Sequence, residues 1–353
     1  MRHGTTAPRS RVSRRDLLGL VAGVAMAGTS YQALRSLKAL PAAAETTPTA
    51  TPTTAAPLSF DVEKFTYTRA ANPARTLVHD EKKRLVATFT DKARTVTLVG
   101  PKRVFAEPEG TGATVTSTTW ARLAPQPWAA GAEQGWAKPW LVTALQDTKP
   151  DILGIAMQYI QGARDIVDTH GRRYAGNASF GPPGVGALRL EASDFYDYLG
   201  VPWTFPDGRT KPADKARLGA MDCSGYLRMV FGYRLGLPLM SKSEPRPGPA
   251  MPRRAYAMAA YGPGISVIPD RNVRPALASL GALLPGDTVY FITDAEPGID
   301  HSGIFLGIDS EGKHRFISSR GGPDGPTMGD VAGKSVLDGD SMFTRGFRTA
   351  RRF

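Results

Sequence analysis

A single cysteine, Cys223, occurs in 353 residues, so no disulfide can close within the chain and a packed core has to hold the fold. Hydrophobic residues make up 41%, enough for such a core. Cys223 lies in the stretch Met221-Asp222-Cys223-Ser224-Gly225-Tyr226-Leu227. Apolar residues then recur at Leu227, Val230, Phe231 and Leu235, the spacing of one helix face. Asp222 is a good N-cap type, and Gly232 and Gly236 limit how far the helix runs. The pattern predicts Cys223 in the first turn of a buried helix, where the helix dipole favours a thiolate. A lone cysteine reads equally well as a buried, inert side chain.

The formal charge is +12, of which the first 44 residues carry +6. An exported protein of this charge is drawn to anionic wall polymers or membrane surfaces. Nucleic acid is not indicated, since no basic run with interleaved aromatics lies outside the first 44 residues.

Residues 1–44 read as a targeting segment. Ser13-Arg14-Arg15-Asp16-Leu17-Leu18 resembles a twin-arginine export signal. The apolar stretch after it is short for a membrane span, and Ala42-Ala43-Ala44 offers a cleavage site after Ala44. Residues 45–57 are mostly Thr, Pro and Ala and read as a linker. Residues 58–146 read as a small β-rich module, either a wall-touching barrel or a packing extension of the larger domain over 147–353. Its strand-like runs are 84–89, 95–99 and 114–120, punctuated at Gly100-Pro101 and at Pro108-Glu109-Gly110. Within 147–353, helices are predicted over 150–162 and 192–199, and a Pro/Gly-rich surface excursion over 241–264. Leu284-Pro285-Gly286-Asp287 turns into a strand over 288–292. Strands over 301–308 and 314–319 flank a turn at 309–312, and a final strand closes 343–353.

Three blocks carry a resemblance. Asp222-Cys223-Ser224-Gly225, then Leu284-Pro285-Gly286-Asp287, then His301-Ser302-Gly303-Ile304-Phe305-Leu306-Gly307 resemble the signature blocks of NlpC-type cell-wall cysteine peptidases. The whole chain is similar to exported actinobacterial members of that group. The resemblance implies an α+β fold with a papain-like core, in which a helix carrying the Cys packs on an antiparallel sheet behind the β-rich module. It implies Cys223 as nucleophile and His301 as base. The family's third polar residue falls at Ser318, a departure from its usual His, Asn or Gln, and His314 on the same strand is the alternative orienter. Asp222 and Ser224 match positions that face the peptide. Trp203, in Gly200-Val201-Pro202-Trp203, stands where the family often has Tyr, and reads equally as core.

The function so implied is hydrolysis of amide bonds in peptidoglycan stem peptides, usually between D-glutamate and a diamino acid, with no cofactor. Zinc on Cys223, His301 and His314 is disfavoured, because no paired ligand spacing occurs. Two other readings stay open: a degenerate wall-binding scaffold, and a thiol acyltransferase or amidase acting on another substrate.

Overall fold

A computed structural model describes residues 61–186, 188–242, 244 and 248–353. The expected export signal, its cleavage site and the linker lie outside the described residues. Among the described residues no helix is long and apolar enough to cross a membrane. The fold is mixed α and β, with antiparallel sheets.

The first sheet is an open meander of five strands in chain order: β1 (Thr66–Ala70), β2 (Arg75–His79), β3 (Leu85–Thr90), β4 (Thr95–Phe105) and β5 (Val115–Leu123). The expected break at Gly100-Pro101 does not occur. β4 runs through it, with a register shift between Val99 and Arg103 that accommodates the proline's missing donor. The Trp120 indole fills the space over Gly100, where a Cβ would lie 2.4 Å from the ring, and its Nε1 donates to the Pro101 carbonyl at 3.0 Å. Val78, Phe89, Val96 and Leu98 bury one face of the sheet against Trp128 and Leu141 of α1 (Ala137–Gln146). No helix was expected over α1.

α2 (Ile152–Met157) is shorter than predicted. Its cap, Asp151, accepts from the Gly154 N–H at 2.9 Å and takes both Arg103 Nη groups at 2.6 Å, tying the helix to β4. A small hairpin of β6 (Ile166–Val167) and β7 (Arg173–Ala175) follows. Then come α3 (Phe195–Leu199), opened by a capping box of Asp194 and Asp197, and the pair β8 (Trp203–Thr204) and β9 (Thr210–Lys211). α4 (Cys223–Leu227) continues as a wider π-helical turn over Arg228–Arg234. The segment expected as a surface excursion instead contains α5 (Ala255–Tyr261), with Met251, Ala255, Ala257 and Met258 buried.

The second sheet runs β10-β15-β11-β12-β13-β14, all antiparallel, from β10 (Ile265–Ile268), β11 (Thr288–Phe291), β12 (His301–Ile308), β13 (His314–Arg320), β14 (Gly325–Thr327) and β15 (Phe347–Arg352). A short α6 (Met342–Gly346) precedes β15, so only part of the expected final strand is extended. Alternation along the strands gives the sheet two cores. Tyr290, Ile304, Leu306 and Ile317 pack with Tyr226, Leu227 and Val230 from α4 and its extension. Val289, Phe291, Phe305 and Phe316 pack on the other side with Phe343 and Phe347.

The two sheets are bonded to each other. The Phe353 carbonyl accepts from Arg94 N at 2.7 Å and Thr95 N at 2.5 Å. Arg352 donates to both Asp287 oxygens at 2.7 Å and to Thr90 Oγ1 at 2.8 Å, while Asp287 also closes the Leu284 turn by accepting its N–H.

Candidate active site

Asp222 starts α4 with extended backbone, φ −69° and ψ 179°. Its Oδ1 accepts from the Gly225 N–H at 2.7 Å, which leaves Cys223 as the first helical residue. Glycine is required at 225, because a Cβ there would lie 2.3 Å from the Ser193 carbonyl oxygen. The Tyr226 hydroxyl donates to the Ala156 carbonyl at 2.8 Å and anchors the helix inward. The Cys223 thiol donates to the Asp300 carbonyl at 3.7 Å, and Asp300 directly precedes His301.

The expected thiolate is not the resting state. Burial pushes the Cys223 thiol up to about 12, and the charge of Asp222 adds to this. The Ser302 hydroxyl and amide pull the other way but do not overcome it. The helix start favours the anion, yet the carboxylate that caps that helix opposes it.

His301 opens β12 opposite Phe291. Its ring lies 5.8 Å from Phe291 and 5.2 Å from Phe343, centroid to centroid. Burial pushes the imidazole down to about 3; the Arg320 charge lowers it further and Asp222 raises it. Its Nε2 is buried without a hydrogen-bond partner. Ser302, the next residue, points to the face that α4 covers, where Tyr290 also lies. Cys223 therefore lies on the Ser302 side of β12, while the His301 ring packs on the other side with Phe291 and Phe343, and the sulfur's hydrogen bond goes to the Asp300 carbonyl rather than to the ring.

Ser318 stands beside Gly303, since a Cβ on that glycine would lie 3.2 Å from the Ser318 Cβ. It shares the face of His301, and its Oγ is buried without a partner. His314 does not reach His301. The register sets it opposite Ile308, seven positions along β12, and its Nδ1 lies 3.1 Å from Asp338 Oδ2. Strand geometry at about 3.3 Å per residue puts more than 20 Å between the two rings' backbones.

Asp222 and Ser224, expected to face the peptide, are turned to the protein. Asp222 Oδ2 accepts from the Ala192 N–H at 3.0 Å and pairs with Arg253 at 2.8 Å, so both its oxygens are filled. Ser224 Oγ donates to Asp222 at 3.0 Å and accepts from Arg253 Nη1 at 2.6 Å. Arg253 Nε reaches Asp194 at 3.1 Å, and Asp194 also pairs with Arg228 at 3.0 Å. Burial alone would raise the Asp222 carboxyl, but the Arg253 guanidinium holds it below its ordinary value. Trp203 is half-buried and packs edge-on against Phe195 at 5.1 Å and Tyr233 at 5.7 Å, a packing role rather than a free platform.

Sequence reading missed Arg228 and Arg253, the cations that compensate the cap. Arg228 follows Leu227 on the helix that bears Cys223, and a basic residue there within an apolar run was the available signal.

The two shifted groups set a pH dependence. The folded state refuses a proton at His301 that the unfolded chain accepts below about pH 6.5. It keeps a proton on Cys223 that the unfolded chain loses above about pH 9. The stability from each group is complete between those values. It falls as pH drops below the first or rises above the second, by about 1.4 kcal/mol per pH unit and group. Urea unfolding from pH 4 to 11 checks this: the alkaline loss is expected to shrink in Cys223→Ala and the acid loss in His301→Gln.

No family model matches the chain. Over 122 residues it is 30% identical to the gamma-DL-glutamyl hydrolase of Bacillus subtilis (strain 168), a match covering 35% of this chain and 21% of that protein. The chain thus matches about a fifth of the length of that relative. It is also similar to a crystal structure of an NlpC/P60 family protein from Bacillus cereus. That similarity is at 13% identity and TM-score 0.25, covering 82% of this chain and 79% of that one.

Proposed function

We propose that the protein is a cysteine peptidase that hydrolyses amide bonds in peptidoglycan stem peptides, at the bond between D-glutamate and a diamino acid. One observation carries the reading: the sulfur at the head of α4 lies 3.7 Å from the carbonyl of the residue preceding His301, which puts the candidate nucleophile against the start of the strand that bears the candidate base. The three sequence blocks and the partial similarity to a gamma-DL-glutamyl hydrolase support the substrate class. The twin-arginine-like segment supports export to the cell wall.

Bound substrate displaces the thiol from the Asp300 carbonyl, and the start of β12 turns so that the His301 imidazole leaves Phe343 and faces the sulfur. His301 takes the thiol proton as the sulfur attacks the amide carbon, giving a tetrahedral oxyanion. The Cys223 N–H, in the first turn and without an intrahelical acceptor, donates to that oxygen. The C–N bond then breaks, the amine leaves with the proton from His301, and a thioester remains. Water, deprotonated by His301, attacks the thioester, and the proton returns to the sulfur as the acid departs.

The protonated thiol and the unpartnered Ser318 favour the second reading, a wall-binding scaffold whose site has decayed. Digestion of purified peptidoglycan separates the two. Mass spectrometry is expected to find new stem fragments ending in D-glutamate and fragments with a freed diamino-acid amine. A digest identical to the buffer control sinks the peptidase reading and leaves the scaffold.

A further inference from the structure

Arg320 ends β13 on the face of Ser318, two positions along. It is 4% exposed, and among the described residues no carboxylate lies within ion-pair distance of it. Its Nη1 donates to the Gly333 carbonyl at 2.6 Å, and its Nη2 to the Gly329 carbonyl at 3.0 Å and Ser335 Oγ at 2.8 Å. The guanidinium carbon lies 4.9 Å from the centroid of the Phe343 ring, against which His301 also packs. A buried cation bound mainly to carbonyls is costly, and its charge is felt strongly at short range in a dry interior.

The opposing charge comes from the first sheet. Glu107, just past the end of β4, is buried and accepts from Thr327 Oγ1 at 2.8 Å and from the Met328 N–H at 2.7 Å. Thr327 Oγ1 in turn accepts from the Gly329 N–H at 2.8 Å, and the Gly329 carbonyl holds Arg320. A hydrogen-bonded chain thus runs from Glu107 through Thr327 and Gly329 to Arg320.

We propose that Arg320 is a positioning residue for His301: it fixes the ring through Phe343 and keeps the imidazole neutral, and Glu107 limits how strongly. This rests on the reading of His301 as the base. The charged groups facing His301 are few. Asp222, on the α4 cap, favours its protonation but is already paired with Arg253. The Asp300 carboxylate is held by Thr293 and Asp294. Phe291 from β11 and Phe343 from α6 are neutral. Among these charges Arg320 therefore dominates, and it adds to the effect of burial. Where a carboxylate or amide partner would draw an imidazole toward its cation, this site starts from an uncharged thiol and an uncharged base. The imidazole thus stays unprotonated in mildly acidic surroundings.

The experiment is histidine titration by NMR on the full chain, with the His301 signal assigned by its loss in His301→Gln. It is read beside the pH dependence of kcat/KM on peptidoglycan. In the wild type the His301 signal is expected not to move above about pH 5. In Arg320→Gln its midpoint rises by about one unit or more, and the acid limb of kcat/KM moves up in pH by the same amount. Arg320→Lys, which keeps the charge, restores the wild-type titration, and Glu107→Gln lowers the midpoint further. Circular dichroism confirms folding of each variant. An unchanged His301 midpoint in folded Arg320→Gln overturns the proposal. The NMR arm needs no turnover. A midpoint that rises in Arg320→Gln, beside a wild type that releases no peptides, upholds Arg320's role while the peptidase reading fails.

Discussion

Cys223→Ala is expected to lower the release of stem-peptide fragments by at least about 10⁴-fold, because no other group in the chain can form the thioester. The chain has no second cysteine to substitute, and Ser302 and Ser318 are both fully buried. Fold loss does not explain such a drop. The thiol makes one long hydrogen bond to Asp300, and truncating it to a methyl group is expected to cost about 1 kcal/mol or less. Peptide release by wild type and variant is compared under substrate excess by mass spectrometry, with urea midpoints measured alongside. Comparable release from both proteins would remove Cys223 from the chemistry.

Arg253→Met is expected to destabilise the protein by about 3–5 kcal/mol, the usual cost of stranding buried charge. Arg253 serves Asp194, Asp222 and Ser224 at once, and Asp194 and Asp222 are no more than 2% exposed. Two carboxylates would then rely on Arg228 and a few N–H groups. The α4 cap would loosen with them, since Asp222 holds Gly225 and Arg253 through the same oxygen. The loss should hardly respond to salt, because the pairs are not open to counter-ions. Arg253→Met combined with Asp222→Asn is expected to be less unstable than the sum of the single changes. Urea denaturation of the four proteins tests this, and strict additivity would show that the pair does not act as a unit.

Some of the architecture was legible because it obeys local rules. Asp222 caps α4 since a short acceptor before an apolar face has few better uses. β11, β12 and β13 could be seen because alternation and turn residues agree there. Other features depend on distant partners. A pattern that sorts residues into apolar and charged places Arg228, Arg253, Arg320 and Arg352 on the surface, and all four are buried. Their carboxylates or carbonyls lie elsewhere in the chain, so spacing alone could not pair them. The thiol's protonation was missed for the same reason: the helix end was visible, but how completely the sheet would cover it was not. His314 was offered as an orienter because two positions on one strand face look alike until the register is known.

The place of β15 has a consequence for how the chain is made. It lies between β10 and β11, yet it comes after both in the sequence by dozens of residues. While the polypeptide emerges from the ribosome, those two strands wait with bare edges that only a later segment can satisfy. Closure of the sheet is therefore a late, long-range event, of the kind that slows folding. During that interval the unfinished edges are where a chaperone would find its grip and where neighbouring nascent chains would stick together.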